Sequence, residues 1–153
     1  MSDPRKTLQY EGIRDTGGVT FAIDGVTITY SATAEGGSAG YGLAVKLSAD
    51  KTMALVADGD PILGKLGQVY KDGYCTVYET PGSYVTLPAG DGATVTAGSR
   101  IVGALGAAGA KGYIRNVAAT GAAYAEAAAD DTQAGRHTIV DASTTTAVVV
   151  RLD

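Results

Sequence analysis

The chain has no tryptophan, one phenylalanine, one cysteine, one histidine and four prolines in 153 residues, and each scarcity removes a class of protein. Cys75 stands alone, so neither an intramolecular disulfide nor a cysteine metal knuckle can form. That fits synthesis in a reducing compartment. His137 is the single histidine, which excludes His-pair metal sites and leaves one imidazole as a candidate general base. With so few large aromatics, the core has to be built from Val, Ile, Leu, Ala and Tyr. Such a core is light, because burial is worth roughly 25 cal/mol per Å² and small side chains contribute little per ordered residue. Oligomerisation or docking is therefore expected to supply part of the stability.

Long apolar runs are also missing. No stretch approaches the roughly 20 apolar residues that span a bilayer. Met1 to Tyr10 holds Asp3, Pro4, Arg5 and Lys6 without an apolar run, so neither a signal peptide nor a lipidation motif is read there, and no membrane partner is expected. Synthesis in the cytoplasm of whatever cell produces it is the expectation. The net charge is −4 and the basic residues are scattered along the sequence rather than gathered into a stripe, which argues against direct nucleic-acid binding.

What is present reads as β-structure. Residues 1–18 are polar and show no sustained period, so they are expected to form an N-terminal arm without its own core, followed by a β-rich domain over 19–153. Val19–Ile23 and Val26–Tyr30 flank Asp24-Gly25, the pair that supplies a type I′ turn, and predict a hairpin. Glu35–Gly42 is a Gly/Ser/Ala loop or hinge. Further β-prone runs are Leu43–Leu47, Thr52–Ala57, Ile62–Tyr70, Tyr74–Thr80, Tyr84–Leu87, Arg100–Leu105 and Lys111–Val117, separated by turns such as Asp72-Gly73. Arg136–Asp141 and Ala147–Leu152 form a closing hairpin. The glycines at 103, 106, 109 and 112 are read as a mobile loop between strands. Ala122–Ala129 is the one segment with helical propensity, and it is short for an isolated helix. The expected fold is all-β, a small barrel or sandwich with an extended N-terminal arm and at most one short helix.

The chemical motifs are each outweighed by a plainer reading. Gly59-Asp60-Pro61-Ile62-Leu63-Gly64-Lys65-Leu66 approaches the phosphate-binding G-x-x-x-x-G-K-[ST]. Leu66, however, stands where Mg²⁺ needs a hydroxyl, Pro61 removes a backbone N–H, and strand-like residues follow where a helix should start. Asp58 and Asp60 suit a β-turn better than a Ca²⁺ or Mg²⁺ site, since two carboxylates do not make one. Asp130-Asp131 reads as a solvated stop. Cys75 lies within a predicted strand as an inert buried thiol. Ser83, Ser99 and Ser143 sit outside any nucleophile elbow, which leaves His137 without a nucleophile. Asp72 and Glu79 carry nothing that separates them from surface charges. No cofactor and no metal are expected, and the chain is read as non-enzymatic. The nine tyrosines are the remaining feature. Tyr74 and Tyr78 fall on one face of a strand, as core or as an exposed adhesive patch.

From Asp58 to Leu66 the chain resembles the head decoration, or cement, proteins of tailed bacteriophages. The resemblance continues through Val69–Val77, Thr96–Gly103, Gly135–Asp141 and Val148–Leu152, and covers roughly Leu43 to Asp153. It implies a structural virion protein that binds the exterior of the expanded capsid, commonly as a homotrimer, and clamps neighbouring major capsid subunits. The expected partners are the major capsid protein and further copies of this chain. Contact candidates lie in the arm, where strand addition by Leu8–Ile13, including Leu8, Tyr10 and Ile13, would use backbone hydrogen bonds. Arg5, Lys6 and Arg14 would pair with acidic capsid groups. The loops Glu35–Gly42 and Gly103–Gly112 are secondary candidates. Two other classes compete: a carbohydrate-binding β-domain that stacks Tyr on sugar rings, and a hydrolase built on His137.

Overall fold

The structure is a computed structural model that describes residues 18–117 and 135–153. The arm candidates Arg5, Lys6, Leu8, Tyr10, Ile13 and Arg14 and the Ala-rich segment 122–129 lie outside the described residues. The described residues contain ten strands: β1 (Gly18–Ile23), β2 (Ala44–Ala49), β3 (Thr52–Leu55), β4 (Gly64–Val69), β5 (Tyr74–Tyr78), β6 (Tyr84–Leu87), β7 (Arg100–Ala104), β8 (Tyr113–Asn116), β9 (Arg136–Asp141) and β10 (Val148–Arg151). The helical content among them is two single 3-10 turns, Glu35–Gly37 and Ala107–Gly109. The fold is all-β, as the turn spacing predicts.

The first five strands close into a barrel in the order β1-β3-β2-β4-β5. Closure needs one parallel contact, Ala22 with Thr52 and Ile23 with Met53; β1 then runs antiparallel to β5 from Gly18 opposite Tyr78 to Ala22 opposite Tyr74. A barrel this small is filled by its own side chains. Ile28, Val45, Met53, Leu66, Val69 and Val77 pack inside it with Cys75. The second five strands form an open sheet, β6-β10-β9-β7-β8. Its inner face, with Leu87, Ile101, Ile114, Ile139, Val148 and Val150, packs on the barrel's outside at Ala44, Val56 and Ile62.

Two cores therefore share one wall, and the side chains fully buried in them are aliphatic apart from the sulfur-containing Met53 and Cys75. Among the described residues no tyrosine is fully buried in them: Tyr30, Tyr41, Tyr70, Tyr74, Tyr78 and Tyr84 are exposed and Tyr113 is half-buried. A phenol in these aliphatic interiors would need a partner for its hydroxyl, and strand alternation instead turns Cys75 and Val77 inward and Tyr74 and Tyr78 outward.

The predicted hairpin at Asp24-Gly25 does not form. Val26–Tyr30 is irregular, because the Asp24 carboxylate gathers the chain around itself. It accepts the backbone N–H groups of Val26, Thr27 and Ile28 and the Thr27 hydroxyl at 2.7–3.2 Å. Thr27 Oγ1 also accepts the N–H of Leu55 at 2.9 Å, and Ile28 is driven fully into the barrel. Side-chain bonding of this kind competes directly with a strand ladder. Burial raises the Asp24 carboxyl pKa, but the hydrogen bonds from Ile28, Thr27 and Val26 outweigh it and hold the group below its ordinary value.

The loop Glu35–Gly42 is packed rather than free. Gly37, Ser38 and Gly40 are buried, and the Ser38 hydroxyl accepts the Gly40 N–H at 3.1 Å. Gly103, read from the sequence as part of a loop, belongs to β7. Its N–H donates to the Asp60 carbonyl at 2.8 Å, and its carbonyl accepts the Gly59 N–H at 3.0 Å. A Cβ at Gly103 would overlap the Ala57 carbonyl oxygen, so glycine is required for the barrel loop and the second sheet to meet. The other end of the run, Gly112, is held by its N–H to Val56 and by its carbonyl to Ala44.

Candidate functional site

The groups capable of chemistry are tied into the scaffold. His137 occupies a β-bulge, since Arg136 faces Ile101 and Thr138 faces Arg100. Its φ of 49° is left-handed and strained for a non-glycine residue. The bulge re-aims the imidazole inward, where it is buried. Nε2–H donates to the Ile62 carbonyl at 2.9 Å, and Nδ1 accepts the Asp153 N–H at 3.0 Å. Both nitrogens are used, so neither is free to take a proton from a substrate. Burial disfavours the imidazolium and Arg136 adds to that; the Ile62 carbonyl and the Asp153 carboxylate act the other way, and the net pKa lies below the ordinary histidine value.

A stability prediction follows. The unfolded chain takes up this proton near pH 6.5 and the folded chain only at lower pH, so the His137 contribution is complete above that range. It is lost as pH falls from about 7 towards the lowered folded value. Glu79, pushed up by burial, acts with the opposite sign. Urea midpoints at neutral pH and near pH 5 should differ less in His137→Asn than in the parent. Equal pH sensitivity in both proteins would show that the imidazole is not the linked group. The substitution itself should cost about 1–3 kcal/mol, because the buried Ile62 carbonyl loses its partner.

The remaining motifs resolve similarly. Cys75 is buried and its thiol is pushed up to about 11 by burial. Asp60 accepts the Ala57 N–H at 2.7 Å and pairs with Lys46 at 2.6 Å, while Asp58 pairs with Arg115 at 2.7 Å. The two carboxylates therefore hold different partners. Where the phosphate-loop pattern would need a helix, β4 follows, with the Leu63 N–H on Val45 and the Leu66 N–H on Leu43. Among the described residues no three His, Cys, Asp or Glu side chains come together.

The surface is a different matter. Tyr41, Tyr78 and Tyr84 wall a groove of about 460 Å³ between the barrel and β6, with Lys65, Thr86, Val85 and Val149 along it. Tyr78 and Lys65 stand opposite each other on β5 and β4, and the Tyr41 ring lies over Gly36, where a Cβ would collide with it. Lys65 is half-buried. Its Nζ donates to Thr86 Oγ1 at 2.9 Å, burial lowers its pKa, and no carboxylate among the described residues pairs with it.

The groove continues into a basic row. Strand register sets Arg100 opposite Thr138, Thr138 opposite Arg151, and Arg151 opposite Tyr84. Their neighbours Ile101, Ile139 and Val150 face the core, so these four side chains share the outer face. Arg136 joins Arg100 and Arg151 around a cavity of about 490 Å³. Asp153 is the one carboxylate lining it; it accepts from the Thr138 hydroxyl at 2.8 Å and from Arg151 Nε at 2.9 Å.

Sequence reasoning missed this face. It judged the basic residues scattered, and they are scattered in the chain; pairing of β7, β9 and β10 brings positions 100, 136 and 151 together. The usable signal was an exposed-face Arg in each of three β-prone runs, but the strand order that aligns them is not written in any one run. The tyrosine cluster was seen only within β5. The expected contact residues of the arm lie outside the described residues, so no contact between them and this face is described. No family model, no curated protein and no solved structure matches the chain.

Proposed function

We propose that this protein is a capsid decoration protein of a tailed phage: a non-enzymatic homotrimer that docks on the exterior of the expanded head and clamps neighbouring major capsid subunits. The observation that carries the reading is the division of labour among side chains. Asp24, Asp58, Asp60 and His137 are committed to internal bonds and Cys75 is buried, while Tyr41, Tyr78, Tyr84, Arg100 and Arg151, of the residue types that dominate protein interfaces, stand on one outer face. The resemblance of residues 43–153 to cement proteins supports the same conclusion. A trimer would present three copies of this face, and linked weak contacts hold far more tightly than each alone.

The test is decoration of purified expanded heads. Because Gly18 already pairs with Tyr78, the deletion that removes the arm should stop at residue 17. The truncated protein should fold and lose head affinity by about a hundredfold or more, as expected when one element of a multivalent contact is removed. Saturation of heads at the same concentration as the full chain would exclude the arm as an anchor. Absence of the protein from purified virions would sink the capsid reading altogether.

A further inference from the structure

The charge on the outer face runs against the charge of the whole. The chain carries −4 overall, yet Arg100, Arg136 and Arg151 line one cavity of which Asp153 is the one lining carboxylate, and Lys65 lines the neighbouring groove, with Asp141 opposite Val149 on the same outer face. Arg100 and Arg151 flank Thr138 on neighbouring strands, about 10 Å apart from strand spacing. Arg151 is neutralised by Asp153, whereas Arg100 has no carboxylate paired with it among the described residues. Asp153 already shows how a carboxylate is held there, by the Thr138 hydroxyl and the Arg151 guanidinium. The Arg100 side of Thr138 has no such group among the described residues. At the other end of the row, Lys65 is an ammonium with lowered hydration and a hydroxyl as its partner. The tyrosine-walled groove lies beside it.

We propose that this face docks an extended peptide segment of the partner protein in which carboxylates alternate with apolar side chains. The carboxylates reach Arg100 and Lys65, and an apolar side chain fills the groove between Tyr41, Tyr78 and Tyr84. Discrete carboxylates suit the row better than a continuous polyanion, because Asp153 interrupts the basic surface. The inference rests on the capsid reading for the identity of the partner, which would present the segment on the head exterior.

The test uses the full chain. Its probes are a peptide array whose members alternate Glu with Leu, their Lys-for-Glu counterparts, a single-stranded thymidine oligonucleotide and a sulfated polysaccharide. The Glu peptides should bind, more weakly as salt rises, and the Lys peptides should not. Arg100→Glu and Lys65→Glu should each weaken binding about tenfold or more, and Tyr84→Ala comparably. Unchanged urea midpoints in Arg100→Glu and Tyr84→Ala, both at exposed sites, would separate docking from folding. Equal binding of Lys peptides, preference for the oligonucleotide or polysaccharide, or indifference to all three substitutions overturns the proposal. So does Glu-peptide binding that appears only after residues 1–17 are deleted, since the chain's own segment would then be the occupant. Heads provide the separating arm. Normal decoration by the Arg100→Glu and Tyr84→Ala variants overturns this inference while the capsid reading stands. Glu-peptide binding without any binding to heads supports the docking face and overturns the capsid reading.

Discussion

Gly103→Val is expected to cost about 3 kcal/mol or more, enough to lower the thermal midpoint by many degrees or to prevent accumulation of folded protein. Gly103 is where the loop between β3 and β4 crosses the second sheet, with hydrogen bonds in both directions to Asp60 and Gly59. A Cβ there meets the Ala57 carbonyl oxygen, and Val56 Cβ lies 2.9 Å from it. Both are parts of the shared wall, so relief would require the barrel and the sheet to move apart. That separation would expose Val56, Ile62 and Ile101, which pack together in the interface. Gly109→Ala is the control: its φ is +77° but a Cβ would point into open space, and the backbone cost should stay near 1 kcal/mol. Equal losses in the two variants, measured by urea denaturation, would mean that the close approach at Gly103 is not what the fold depends on.

Asp24→Ala is expected to be the second large effect, about 2–4 kcal/mol, because one substitution strips the acceptor from three backbone N–H groups and a hydroxyl. The consequence extends into the barrel. Thr27 would lose the bond that orients its hydroxyl towards the Leu55 N–H, and Ile28 would lose the constraint that holds it in the core. Asp24→Asn keeps one carbonyl oxygen and should retain part of the stability. The lowered carboxyl pKa gives an independent check. Its contribution is present above the ordinary Asp range near pH 4 and is lost as pH falls through the folded value. Asp24→Asn has no carboxyl to titrate, so the difference in stability between it and the parent should shrink as pH falls below about 4. An Asp24→Ala protein as stable as the parent would show that water replaces the carboxylate at no cost.

Most of the strand inventory was legible because each run carried its own boundary. Tyr84–Leu87 and Arg136–Asp141 are bracketed by turn residues and match the strands observed. Asp72-Gly73 marks the β4–β5 turn, where Gly73 adopts a φ of +88° and its N–H returns to the Tyr70 carbonyl at 3.1 Å. Asp24-Gly25 looks the same in sequence and behaves differently. What distinguishes it is Thr27 two residues past the glycine, whose hydroxyl bonds both Asp24 and the distant Leu55. That second contact is tertiary and lies outside the window a turn rule inspects. The outer face was illegible for a related reason. Arg100, Arg151 and Tyr84 become neighbours only through the order β6-β10-β9-β7, and local patterns set strands without setting their order. His137 was visible as the lone histidine, but its bulge and its inward turn come from a register shift against β7.

Strand order also decides when the outer face can come into being. All five staves of the barrel lie within residues 18–78, whereas β10 sits between β6 and β9 at residues 148–151. A ribosome therefore delivers the complete barrel long before β6 gains its neighbour in the sheet. Tyr84 and Arg151 become adjacent only when that last strand slots in, so an unfinished chain cannot display the surface by which the finished one would take hold.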